Sequence, residues 1–325
     1  MTWPMATPAI DPEALRRLRF LNRLQSATLL LGLFALAGIT GFLFAGTDGV
    51  IIAAVLVTGF LLFNPASGEA VFRYIYGAVP LTPASAPQLV ALVAQLSRRA
   101  DLERPPALFL IPAPVLQAMA AGSRESPSLA VTSGLLQTLS SREFAAVLAH
   151  EIAHIRHGDM LVMGLAAGAG AMTRAMSTAG NFLLIAYFPI LWSTDAAISP
   201  AAIALLVAAP MASDLLQLSL SRRRELLADA GAVELTGDPV ALARALKRIG
   251  ELQGDDWERF TARGGRWLRW FRTHPTTAER IERLAEVVAS PRPGLPAAAW
   301  SEDARDMPHL GGQALGRRLV RRALM

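Results

Sequence analysis

The sequence predicts an α+β protein, mainly helical, in which a sheet-bearing domain is joined to about four helices able to cross a membrane. Three observations carry that expectation. Four stretches of 18 to 20 residues are free of charge, most other apolar residues recur at helical spacing, and β-type runs are confined to residues 107–132. Composition agrees: the chain is 53% apolar and 18% charged. Its mean hydropathy of +0.37 is above that of ordinary soluble domains.

Residues 1–25 form a polar, Arg-bearing lead-in. Ala27–Ala45 has 19 uncharged residues and Gly49–Gly68 has 20, which makes a first transmembrane hairpin over residues 26–68. Each is about the length that crosses a hydrocarbon core of roughly 30 Å. Asn64-Pro65 shortens the apolar part of the second to about Val50–Phe63. The first run is too long for a cleaved signal peptide and a second span follows it at once. Residues 69–160 come next. There, Leu89, Leu92, Val93 and Leu96 mark a helix over Ser85–Ala100. Ala107–Ile111 and Leu129–Thr132 read as short strands, with Val115–Ala121 as a third. Ser141–Asp159 has Phe144, Val147, Leu148 and Ile152 at helical spacing and Gly158 as its stop.

A second hairpin over 161–220 holds Ala175–Thr194, with 20 uncharged residues, and Ala196–Ser213, with 18. Residues 221–289 hold a helix around Glu225 and two amphipathic helices, Pro239–Leu252 and Thr276–Val288. Residues 290–325, rich in Pro and Gly with scattered Arg, read as a flexible basic tail.

Charge sets the orientation. Arg16, Arg17, Arg19 and Arg23 precede the first span and Arg222, Arg223 and Arg224 follow the fourth. The two turns on the far side carry only Asp48 and Asp195. Positive flanks stay in the cytoplasm, so both termini and the active site are expected on the cytosolic face of the inner (plasma) membrane. The net charge is +5 and the pI near 10.5, yet no nucleic-acid motif appears, and the Arg residues suit a lipid bilayer better. The chain has no cysteine, in keeping with a reducing compartment. Arg174 and Asp214 interrupt the third and fourth apolar runs at similar depth. A lone charge there is costly, so the two are expected to pair across the helices.

The most informative segment is His150-Glu151-Ile152-Ala153-His154. Residues four apart share a helix face, so both imidazoles can reach one Zn²⁺, with Glu151 placed to take a proton from a metal-activated water. Composition alone would yield roughly 0.003 such pentads in a chain of this length, so chance is a poor explanation. A zinc site needs a third protein ligand, and without cysteine it must be His, Asp or Glu. Glu225 is the best candidate. Asp229, one turn later, is placed to accept a hydrogen bond from a ligand imidazole.

Several motifs in order give the chain a family resemblance: Gln117-Ala118 through Gly122, Ala130–Leu136, Ala149–His154, Gly158-Asp-Met160, Ser221–Asp229, and Thr273-His-Pro275 with Arg280. From about residue 26 to 289 it resembles the HtpX-type membrane zinc endopeptidases, distant relatives of the CAAX prenyl proteases. The resemblance implies a zincin-type metalloprotease domain on a four-span anchor. It also implies one Zn²⁺ per chain held by His150, His154 and Glu225, Glu151 as general base and Asp229 supporting a ligand. His274 and Arg280 would approach the metal and steady the oxyanion. Substrates would be polypeptides, often misfolded or damaged membrane proteins, added as a strand along Gln117, Ala118, Met119, Ala120 and Gly122. The family usually has Asn where this chain has Gln117, so main-chain pairing carries the expectation there.

Other features have plainer readings. His157 is expected at the helix end rather than as a fourth ligand, and His309 in the solvated tail. Trp257, Trp267, Trp270 and Phe271, mixed with Arg, fit an interfacial belt or a packed core equally well. A catalytically silent scaffold or holdase on the same fold is the rival reading, and the complete set of His150, Glu151, His154 and Glu225 argues against it. Oligomeric state is not encoded in any motif.

Overall fold

A computed structural model describes residues 12–62, 68–193, 200–253 and 277–288. Helix α1 (Pro12–Leu62) is broken at Ala45 and Gly46, whose backbone angles are non-helical. A Cβ on Gly49 would overlap the carbonyl oxygen of Gly41, so glycine at both positions lets the backbones on either side of the bend touch. The expected lead-in is helical from Pro12 and runs unbroken into the first apolar stretch.

A one-turn helix α2 (Gly68–Ala70) runs into a π-helical turn over Val71–Ile75, which delivers the chain to strand β1 (Val79–Leu81). The amphipathic α3 (Pro87–Arg99) follows, then β2 (Ala107–Ile111), β3 (Ala118–Gly122) and β4 (Pro127–Thr132). The order in the sheet is β1-β2-β4-β3. β2 and β4 are parallel and the outer pairs antiparallel, which leaves β3 at an edge. Three of these strands match the sequence expectation. β1, three residues long and containing Pro80, lacks the alternation that would betray it.

Thr132 caps α4 (Ser133–Thr138) by accepting from the Leu135 N–H. Ser140 and Glu143 form a reciprocal capping box at the start of α5 (Ser141–His157), and Gly158, in the left-handed conformation with φ of 69°, ends it. These two ends fix the phase of the helix that carries both imidazoles. One sheet face packs Leu108, Leu110, Leu129 and Val131 against α3 and α5, burying Leu89, Leu96, Phe144, Leu148 and Ile152. The other face buries Phe72, Phe109, Ile111 and Ala130.

Asp159 does not end the motif helix but opens the next one, α6 (Asp159–Ser193). α7 (Pro200–Thr236) follows, also unbroken, then α8 (Pro239–Gln253) and α9 (Thr277–Val288). Leu33 of α1, Ala166 and Ala169 of α6, and Leu220 of α7 bury against one another. Among the described residues, Arg19–Leu43 and Ile203–Thr236 are long and apolar enough to cross a membrane, whereas Ala45–Leu56 is apolar but shorter. Two of the about four expected spans are thus matched by candidates among the described residues.

Two contacts between α6 and α7 show how polar groups are accommodated there. Pro210 has no N–H for the carbonyl four residues back, that of Leu206. The Ser177 hydroxyl, on α6, donates to that carbonyl instead. Arg174 Nη1 lies 2.7 Å from Asp214 Oδ1, as the charge pattern predicted.

Candidate metal centre

α5 and α7 meet where their polar faces converge. His150 and His154, one turn apart on α5, present their Nε2 atoms to each other at 3.1 Å. Glu225, on α7, closes the group: Oε2 is 3.4 Å from His150 Nε2 and Oε1 is 3.6 Å from His154 Nε2. Ligating atoms of the three residues all lie within 4.8 Å of one another.

The outer nitrogens are held as well. His150 Nδ1 is 2.9 Å from Asp229 Oδ1, and His154 Nδ1 is 2.6 Å from Asp159 Oδ2. An ionised carboxylate can only accept, so each Nδ1 carries a proton and each Nε2 lone pair is aimed at the centre. Three electron-rich donors then face one small volume, and a cation is what satisfies them. Two imidazoles with a carboxylate are a donor set that suits Zn²⁺. The electrostatics agree. Burial works against charge on His150, but Asp229 and Glu225 outweigh it and pull its pKa up to about 10. The same two carboxylates would favour a bound cation.

Glu151 points from α5 toward the sheet edge, where the Ala120 N–H donates to its Oε2 at 3.0 Å. Burial raises its pKa, opposed by His150 and His154 and by the Ala120 hydrogen bond. A carboxylate held above its ordinary pKa is a stronger proton acceptor than a free one. β3 therefore runs directly beside the candidate base. Ala118, Met119, Ala120 and Gly122 all lie on this strand, and Gln117 precedes it, its backbone paired with Thr132 and its residue exposed.

Arg280, on α9, reaches the group from the opposite side. It donates to both Asp229 oxygens, at 2.7 Å from Nε and 2.6 Å from Nη2, and its Nη1 lies 3.4 Å from Glu225 Oε2. The fork is committed to Asp229, and those carboxylates raise the pKa of Arg280 further against the effect of burial. His274 lies outside the described residues, as do Trp257, Trp267, Trp270, Phe271 and His309.

His157 is the last residue of α5. Its ring lies beside α7 at Gly231, where a Cβ would meet Cε1 at 3.3 Å. Neither of its ring nitrogens has a hydrogen-bond partner among the described residues, and burial takes its pKa down to about 4. It is not part of the donor group. The residue that sequence reasoning missed is Asp159, buried at the first position of α6. Its signal was available: a Gly that must end the helix, followed at once by an acid five residues after His154.

A model for peptidase family M48 matches residues 83–288, more than half of the chain and every one of the site residues just described. The chain belongs to peptidase family M48. Relatives named "Protease HtpX homolog" align over most of this M48 member and nearly all of their own length. The protein of that name from Methylibium petroleiphilum is 33% identical over 283 residues, covering 82% of this chain and 98% of its own. That from Paraburkholderia phytofirmans is 33% identical over 287 residues, covering 83% and 99%. That from Polynucleobacter necessarius is 34% identical over 279 residues, covering 81% and 95%. The crystal structure of S. mikatae Ste24p aligns with a TM-score of 0.49 and 20% identity, over 82% of this chain and 66% of that one. M48 membership and a His-His-Glu cluster together make this a metalloprotease.

Proposed function

We propose that this M48 protein is a zinc-dependent endopeptidase of the inner (plasma) membrane. It would hydrolyse peptide bonds of membrane proteins, misfolded or damaged ones among them, at the cytosolic face. The observation that carries the reading is the convergence of two Nε2 atoms and the Glu225 carboxylate, with Glu151 beside an open strand edge. His150, His154 and Glu225 would hold the metal. Zn²⁺, when bound, lowers the pKa of water to about 7 and polarises a carbonyl.

The remaining steps belong to the chain. A substrate segment adds to the open side of β3 by main-chain pairing, which reads little sequence and suits varied polypeptides. Glu151 takes a proton from the attacking water and returns it to the leaving amine. Asp229 and Asp159 keep the two imidazoles in the Nδ1–H form, and Arg280 holds Asp229 in place. His274 would add a donor for the oxyanion. Arg-rich flanks beside uncharged runs support a cytosolic site, and the apolar helices continuous with the site support a position beneath the bilayer.

The test is Glu151→Gln in the full-length protein, incubated with Zn²⁺ and a model membrane protein, with cut sites read by mass spectrometry. Zinc should stay near one per chain while hydrolysis falls by several orders of magnitude. Near-normal cleavage by that variant would sink the proposed mechanism.

A further inference from the structure

A chain of buried polar groups leads away from the metal centre and ends on the first apolar helix. His154 Nδ1 is bound by one oxygen of Asp159 at 2.6 Å. The other oxygen of Asp159 accepts from Arg224 Nη1. Arg224 Nη2 in turn donates to Ser26 Oγ at 3.2 Å. Asp159, Arg224 and Ser26 are 3%, 4% and 6% exposed. They come from three different helices: α6, α7 and α1.

Buried charges stay in place only when paired and hydrogen-bonded, so Asp159 and Arg224 fix each other's orientation. A guanidinium is a rigid planar fork, and turning it moves both donors at once. Arg224 Nε has no partner among the described residues, which leaves Asp159 and Ser26 as the groups that hold the fork. Ser26 thereby sets the plane of Arg224, Arg224 sets the Asp159 carboxylate, and Asp159 aims the His154 ring.

We propose that Ser26 and Arg224 are positioning residues for His154, so that the seating of α1 against α7 governs how firmly the protein holds its metal. The proposal rests on His154 being a ligand, as in the function proposed above. It makes the membrane anchor part of the metal site. A peptidase with α1 displaced would be metal-poor, which would confine activity to chains correctly seated in the bilayer.

The experiment measures Zn²⁺ affinity of the full chain by chelator competition, and the visible absorption spectrum of the Co²⁺-loaded form. Ser26→Ala should raise the dissociation constant roughly 3- to 10-fold, the scale of one hydrogen bond. Ser26→Thr, which keeps the hydroxyl, should restore it. Arg224→Lys, with charge but no fork, should cost roughly 10–100-fold and alter the Co²⁺ spectrum. Thr40→Ala is the control. Thr40 is a buried α1 hydroxyl that donates to Leu36 O at 2.7 Å, and its loss should leave both readouts unchanged. If Ser26→Ala binds zinc as the unaltered protein does, or no better or worse than Thr40→Ala, the proposal is overturned. If the unaltered protein itself binds no zinc, the metallopeptidase reading falls and takes this proposal with it.

Discussion

The main-chain N–H of Ala120, on the edge strand β3, donates to the Glu151 carboxylate at 3.0 Å. Ala120 stands opposite Leu129 in the β3–β4 register, and its N–H turns away from β4 to the open side of the sheet. The strand proposed to pair with substrate is thus the one that also holds the proposed base. This hydrogen bond favours the ionised carboxylate, against the burial that raises its pKa.

Ala120→Pro removes that donor, and an edge strand tolerates proline better than a central one. With the N–H gone, Glu151 should lose its proton only at higher pH, so the acidic limb of the kcat/KM profile should move upward. Ala120→Gly keeps the N–H and should leave the limb in place. A limb unmoved by Ala120→Pro would mean that Glu151 is not the group titrating there.

Glu225→Ala should lose both zinc and activity, because two imidazoles alone hold the metal weakly. Asp229→Ala should be milder, costing roughly 10–100-fold in metal affinity or rate, since His150 keeps its place on α5 and loses only its orienting partner. Metal analysis decides between them. Full zinc in Glu225→Ala would require a different third ligand.

Arg174 and Asp214 are each about half-exposed on the outer surface of α6 and α7, at 46% and 47%. A single reversal, Arg174→Asp or Asp214→Arg, sets like charges together where an unpaired charge costs of order 2.5 kcal/mol at the bilayer centre and less toward its edge. The double swap should recover the folded yield that each single variant loses. A double variant no better than the worse single one would show that the pair carries no coupling.

Ser177→Ala should leave the Leu206 carbonyl without its donor and destabilise the helix pair by ~1–2 kcal/mol. Pro210→Ala restores a backbone N–H for the same carbonyl. In that background Ser177→Ala should cost much less, which a double-mutant cycle of detergent unfolding would read. Equal costs in both backgrounds would separate the serine from the proline.

What the sequence made legible was local. The spacing of His150 and His154, the apolar run Phe144, Val147, Leu148 and Ile152 and the stop at Gly158 all act within a few turns, so the motif helix could be placed almost to the residue. Glu225 was reachable because the donor types left open were few. Asp159 left only a local hint, an acid directly after the helix-stopping Gly158, because its contact with His154 depends on how α6 leaves α5. Arg280 was expected at the metal centre and is there, but its bidentate pairing with Asp229 follows from the packing of α9 on α7 and has no trace in spacing. The lead-in, expected only as a polar Arg-bearing segment, is helical from Pro12 and continues into the apolar run.

Because α7 runs on as one helix from Pro210 to Thr236, the apolar residues beyond Pro210 and Glu225 turn as one shaft. Each added residue would rotate everything beyond it by about 100° and advance it by 1.5 Å. The interval from Pro210 to Glu225 is therefore phase-locked: a one-residue insertion would swing the carboxylate out of the donor group, while an insertion before Pro200 would not. The same rigidity delivers any tilt of the helix, such as a thinner or thicker bilayer imposes, undamped to the Glu225 carboxylate.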